Sequence, residues 1–204
     1  MKYASIDIET TGLDESFCQM LEFGCVLDDM IRPIEECPKF HCYILRDKYV
    51  GQPYALSMHA TIFRRIADLT PGYCYFTPEE AFDKFEKFLF DNDYSWRHLN
   101  IVGKNFGSFD RNFILKDWPH FKSRHRILDV GSAFYNPIYD TDGLPDLKTC
   151  MERVGLSGEV QHTAVEDAFD CVKVIRLRYA GALEKLKNES VSESERAGDD
   201  GPAQ

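Results

Sequence analysis

The stretch Tyr3–Leu13, YASIDIETTGL, sets Ile6 and Ile8 against Asp7 and Glu9 in strict alternation. Successive side chains of a strand point to opposite faces, so the pattern predicts a strand that buries its isoleucines and presents both carboxylates together. Neighbouring carboxylates repel, and either one takes a proton or a multivalent cation sits between them. Thr10, Thr11 and Gly12 follow, residues that turn the chain and offer backbone N–H groups to whatever that cation holds. The stretch therefore predicts a metal site at the end of a strand. An edge strand with a solvated acidic face is the competing reading, and residues further along the chain decide between the two.

The chain has 204 residues, 44% hydrophobic and 13% aromatic, enough to bury one α/β core. One domain over residues 1–187 and an acidic tail over 188–204 (NESVSESERAGDDGPAQ), too polar to fold, are expected. No apolar run approaches the ~20 residues that span a bilayer, and the N-terminus lacks the basic-then-apolar order of a signal peptide. Seven cysteines at irregular spacings fit a reducing compartment, so a cytoplasmic protein with no membrane partner is expected. Cys37, His41, Cys42 and Cys74 are a weaker candidate for zinc, without the paired spacings of structural sites. The net charge of −10 argues against a broad grip on duplex DNA, which needs many Lys and Arg contacts to phosphate. A short single-stranded end needs few such contacts, and metal ions cancel carboxylate charge where phosphate must sit.

Met20–Leu27 and Phe40–Leu45 read as two more strands, completing an antiparallel meander with the first. Ala55–Asp68 reads as helical and Pro71–Phe76 as a loop. Thr77-Pro-Glu-Glu80 is a capping box opening a helix with Phe82, Phe85, Phe88 and Leu89 as its apolar stripe. Leu99–Val102 and Arg126–Val130 are short strands, the first followed by a helix over Arg111–Lys116. Asp146–Val154 is a helix stopped by Gly155, and a long last helix runs over Thr163–Leu186 with a second capping box, Thr163-x-x-Glu166. This order predicts an α/β fold with a mixed five-stranded sheet, an antiparallel meander plus parallel strands, flanked by helices.

Three more residues extend the acidic pair. Asp110 follows a buried strand and opens a helix, Asp167 falls in the first turn of the last helix, and His162 precedes that helix's cap. Asp7-x-Glu9-Thr10-Thr11-Gly12-Leu13, Asn105-x-x-x-Phe109-Asp110 and His162-x-x-x-x-Asp167, in this order, resemble the three-part signature of the DEDDh, or DnaQ-like, 3′–5′ exonucleases. The resemblance runs from about Tyr3 to about Tyr179. Within the superfamily the histidine is diagnostic, because the sister group has tyrosine four residues before its last aspartate, where this chain has Thr163.

The resemblance implies a ribonuclease H-like fold and a two-metal-ion exonuclease that releases nucleoside 5′-monophosphates from the 3′ end of single-stranded DNA or RNA. It implies two Mg²⁺ or Mn²⁺ ions, with Asp7 bridging them, Glu9 and Asp167 on the ion carrying the attacking water, and Asp110 on the other. His162 would take the proton from that water, a role suited to an imidazole. Thr10, Thr11 and Gly12 would meet the terminal sugar, Leu13 would wedge against the last base, and His59 and Asn105 would line the site. His59-Ala60-Thr61-Ile62 and Lys104-Asn105 depart from the His-Gly-Ile-Thr and His-Asn common in the family, which bears on base and sugar preference. A homodimer or a polymerase or replication partner fits the resemblance too. The alternative is a silent module that keeps the shape and binds nucleic-acid ends or a replication or repair partner. Asp140-x-Asp142-Gly143 faintly suggests a calcium loop but lacks the rest of that motif.

Overall fold

The structure, a computed structural model, describes residues 1–158, 163–182 and 184. His162 and the tail from 188 lie outside the described residues. The first strand, β1 (Tyr3–Thr10), is central, pairing antiparallel with β2 (Met20–Asp28) and parallel with β5 (Ile101–Gly103). β2 pairs antiparallel with β3 (Lys39–Ile44), and β5 pairs parallel with β6 (Leu128–Asp129). A sixth strand, β4 (Tyr75–Phe76), lies parallel to β3, giving the order β4-β3-β2-β1-β5-β6. Six strands replace the five expected, because β4 lies in the segment read as a loop. Two residues are too few to show an alternation.

The helices divide between the sheet's faces. Ile6 and Ile8 pack with Phe23, Phe85 and Trp118, under α3 (Pro78–Asp91) and α4 (Asp110–Asp117). The capping box of α3 forms as expected, with Thr77 and Glu80 bonding reciprocally. On the other face, Tyr3, Val26 and Val102 pack against α5 (Val130–Phe134), α6 (Leu147–Arg153) and α7 (Ala164–Arg178). α1 (Pro53–Met58) and α2 (Ala60–Asp68) replace the single helix expected there and break at His59. Val130, expected in the last strand, instead begins α5, whose start is capped by Asp129. The capping box expected at Thr163 does not form: Thr163 makes no side-chain cap bond, and Glu166 lies 3.7 Å from Lys39 Nζ.

Gly24 fixes how closely α7 approaches the sheet. It lies opposite Asp7 in the β1–β2 register, and a Cβ there would stand 2.2 Å from the Ala164 carbonyl carbon and 2.3 Å from the Val165 nitrogen. Only glycine lets the start of α7 sit directly over β2, beside Asp7. Gly24→Ala is expected to cost about 2 kcal/mol in thermal or urea unfolding, because backbone, not a flexible side chain, must give way. An unfolding midpoint equal to wild type would show that α7 is not seated by this contact.

Candidate metal centre

Asp7 and Glu9 leave β1 on the face that α7 covers, and Asp167 descends to them from the first turn of α7. One carboxylate oxygen from each of the three lies within 4.8 Å of the others, the one such group of metal-donor side chains among the described residues. Asp110, first residue of α4 and only 2% exposed, comes from the opposite side of β1, and its Oδ1 accepts from the Ile8 backbone N–H at 3.2 Å. Asp110 is thus bonded to the residue between the two acidic positions of β1. His59, 5% exposed at the break between α1 and α2, brings Nε2 to 3.4 Å from Glu9 Oε2.

Burying so much like charge shows in the titration of the group. Burial raises the Asp7 carboxyl well above the ordinary aspartate range, and Asp110, Glu9 and Asp167 add to the effect. Burial, then Glu22, Asp167 and Asp110, push Glu9 up to about 8. Burial carries Asp110 to about 7 even though its own backbone N–H and that of Ile8 oppose the shift. Close, hard oxygen donors with this much uncompensated charge are the donor set for a hard divalent cation such as Mg²⁺ or Mn²⁺. A bound cation would restore the ionised form that burial disfavours.

The remaining candidates divide by what their polar atoms do. Thr10 Oγ1 donates to the Gly12 carbonyl at 2.7 Å, and Thr11 Oγ1 donates to the Val50 carbonyl at 2.6 Å while accepting from Gln19 N–H. Both hydroxyls hold the turn after β1. Gly12 has no room for a Cβ, which would stand 2.6 Å from Cys18 Sγ and 2.8 Å from Gln52 Oε1. Leu13 is 75% exposed, its N–H donating to Gln52 Oε1 at 3.0 Å. Asn105 takes φ +60°, its N–H donating to Asp129 Oδ2 and its Oδ1 accepting from Lys104 Nζ. His162 lies outside the described residues.

Neither weaker metal candidate gathers. Cys42 is buried in the core under α3, while its neighbour His41 faces the other way and pairs with Glu22. Cys37 lies beside Asp28 and Arg176, and Cys74 is exposed. Asp140 is gripped by the two guanidinium nitrogens of Arg153, at 2.9 and 2.5 Å. Glu22, no site candidate in the sequence, and His41, a candidate there only for zinc, pair with each other beside Glu9. Glu22 stands opposite Glu9 through the β1–β2 register, which alternation within one strand does not specify.

The sequence matches no protein-family model and no curated protein. Solved structures match it in shape. The nuclease domain of 3′hExo, a DEDDh family member bound to rAMP, superposes with a TM-score of 0.62 at 13% identity, over 89% of this chain and 92% of that one. The chain has the ribonuclease H-like fold of the DEDDh nucleases. Cell-death related nuclease 4 (CRN-4) matches over 89% of this chain with a TM-score of 0.62 at 14% identity. The zinc-bound form of the E. coli exonuclease I complex with single-stranded DNA matches over 88%, with a TM-score of 0.59 at 19% identity. The chain spans 64% of CRN-4 and 40% of exonuclease I. Among the described residues no helix is long and apolar enough to cross a membrane.

The raised carboxyls set the pH dependence of the metal-free protein. A carboxyl with a folded pKa above its unfolded value keeps a proton that the unfolded chain has released, so stability falls as pH rises between the two values. For Glu9 that window runs from 4.5 to about 8. In EDTA the melting temperature is expected to decline across this window. Saturating Mg²⁺ should flatten the decline by holding the ionised form, and Glu9→Gln should flatten part of it without metal. Calorimetric melts over the pH series check both, and a decline as steep in Glu9→Gln as in wild type would contradict the assignment.

Proposed function

We propose that this chain is a metal-dependent 3′–5′ exonuclease acting on the 3′ end of single-stranded DNA or RNA. The observation that carries the reading is the convergence of Asp7, Glu9 and Asp167 within 4.8 Å. In this proposal those three carboxylates, with Asp110, hold two divalent ions, Mg²⁺ or Mn²⁺. Such ions, when bound, supply a hydroxide near neutral pH and offset charge on the attacking and leaving oxygens of the phosphodiester. His162 takes the proton from the attacking water, and His59 orients Glu9 through the contact at 3.4 Å.

Substrate contact falls to the rim. Leu13 and, on α1, Tyr54 (80% exposed) and Met58 are exposed apolar side chains adjoining Gln52 and His59, and they offer flat or soft surface to unpaired bases. Thr10, Thr11 and Gly12 shape the turn that meets the terminal sugar, and Asn105 lines the approach to Asp110. The reading is further supported by the neighbours in shape, one bound to rAMP and another solved with single-stranded DNA. A reducing, cytoplasmic setting fits the seven free thiols among the described residues.

The test is a time course on oligonucleotides labelled at the 5′ end, single-stranded DNA and RNA of several lengths, with Mg²⁺ or with EDTA. The expected result is a ladder that shortens from the 3′ end only with metal; no ladder on any substrate would favour a binding module. Asp7→Asn removes a charge that the other ligands cannot replace and should abolish the ladder, whereas retention of much of the wild-type rate would contradict the metal scheme. His162→Ala should lower turnover by about 10²-fold or more, the contribution typical of a general base. Calorimetric titration of the same variant with Mn²⁺ should give wild-type affinity, and lost binding would make the histidine a ligand instead.

A further inference from the structure

Glu22 is fully buried on β2, directly across from Glu9 in the β1–β2 register and therefore on the same face of the sheet. His41, on β3, holds one of its oxygens, with Nε2 2.6 Å from Glu22 Oε1. The other oxygen, Oε2, is buried and has no hydrogen-bond partner among the described residues. A carboxylate whose only task was to hold His41 would need one oxygen. A buried acceptor left unmade is costly, so this oxygen calls for a donor that the described residues do not supply.

The donor can be identified from the surroundings. Glu22 stands opposite Glu9 in the register, so the two side chains face the same space. Another acidic ligand facing the same space would add repulsion without gain unless a cation lay beyond it. A water molecule coordinated to a divalent ion is a polarised donor and a poor acceptor, which matches a carboxylate oxygen with no other partner. Carboxylates that bond to a metal's ligands or waters tune affinity without touching the ion.

Resting on the proposed metal centre, we propose that Glu22 is an outer carboxylate of that centre: held by His41, it accepts a hydrogen bond through Oε2 from a water on the ion that Glu9 and Asp167 hold. The register supports this placement, since Gly24 leaves the position opposite Asp7 without a side chain and Glu22 fills the position opposite Glu9. His41 acts through Glu22, turning Oε1 away from the ion's water and leaving Oε2 to it.

The test reads metal binding and metal-free stability in the intact protein. Mn²⁺ is titrated calorimetrically into wild type, Glu22→Gln and Glu22→Met, and each is melted in EDTA. Mn²⁺ affinity should fall about tenfold in Glu22→Gln and further in Glu22→Met, which keeps the volume and offers no acceptor oxygen. The EDTA melting temperature should rise in Glu22→Gln, which keeps an acceptor for His41 and removes the carboxyl opposite Glu9. Unchanged affinity in Glu22→Met, or a lower EDTA melting temperature with unchanged affinity in Glu22→Gln, would make Glu22 a support for His41 alone and overturn the proposal. Should wild type itself bind no Mn²⁺, the metal centre falls and this inference with it, an outcome distinct from wild-type binding that survives in the variants.

Discussion

Mutual repulsion among buried carboxylates is the constraint on which this structure depends. Asp7, Glu9, Asp110, Asp167 and Glu22 crowd one part-buried space, and the raised carboxyls of Asp7, Glu9 and Asp110 record the strain. Left to itself such a group would splay apart or take up protons. It is held together by a central strand paired on both sides, by α4 bonded through Asp110 to the Ile8 N–H, and by α7 seated on Gly24. The scaffold's packing therefore opposes the electrostatics of its own site, and a bound cation, as proposed, would reconcile them.

The anchoring of α7 shows how the opposition is sustained. At its start, the helix backbone rests against Gly24 without a side chain between. Three turns later, Arg176 donates from Nε and Nη2 to the two oxygens of Asp28 and from Nη1 to the Arg32 carbonyl. Asp28 also accepts from the Tyr3 hydroxyl at 2.6 Å, and together these donors hold its carboxyl below the usual aspartate range although burial works the other way. A buried pair of this kind gains little net stability over an apolar one, but it fixes geometry. Here it ties the last turn of α7 to the far end of β2, so that both ends of the helix are referenced to the same strand. Asp167, in the first turn of α7, is carried into the site by a helix held at both ends.

What could be read from the sequence followed from how local each signal is. The strand through Asp7 and Glu9, the cap at Thr77 and the helices that carry Asp110 and Asp167 are written in consecutive residues, and all of them appear in the structure. β4 is not legible in the sequence because two residues pairing in parallel with a distant strand leave no periodic trace. The break at His59 is not legible either, because Ala55–Asp68 keeps helix-forming residues on both sides of it. At Thr163 the motif was present, but a nearby tertiary cation, Lys39, draws Glu166 away from the cap. Glu22 sat in an unremarkable apolar run, MLEFGCVL, and its meaning depends on register, which alternation within one strand does not specify.

The same distinction bears on the substrate side. The clustered carboxylates are set by strand and helix termini and tolerate few alternatives, whereas the rim is carried by the turn after β1 and by α1. That turn is held from within: the hydroxyls of Thr10 and Thr11 bond to backbone carbonyls, and Lys116 Nζ reaches from α4 to the carbonyls of Glu15 and Cys18 at 2.7 and 2.9 Å. Leu13 is therefore presented on a braced loop and not on a free one, with its side chain left in solvent. A braced apolar side chain loses little conformational entropy on meeting a base, and it offers no hydrogen bond by which to choose among bases. Under the proposed function such a rim would take an unpaired end of any sequence, and discrimination between sugars would fall to the turn around Gly12.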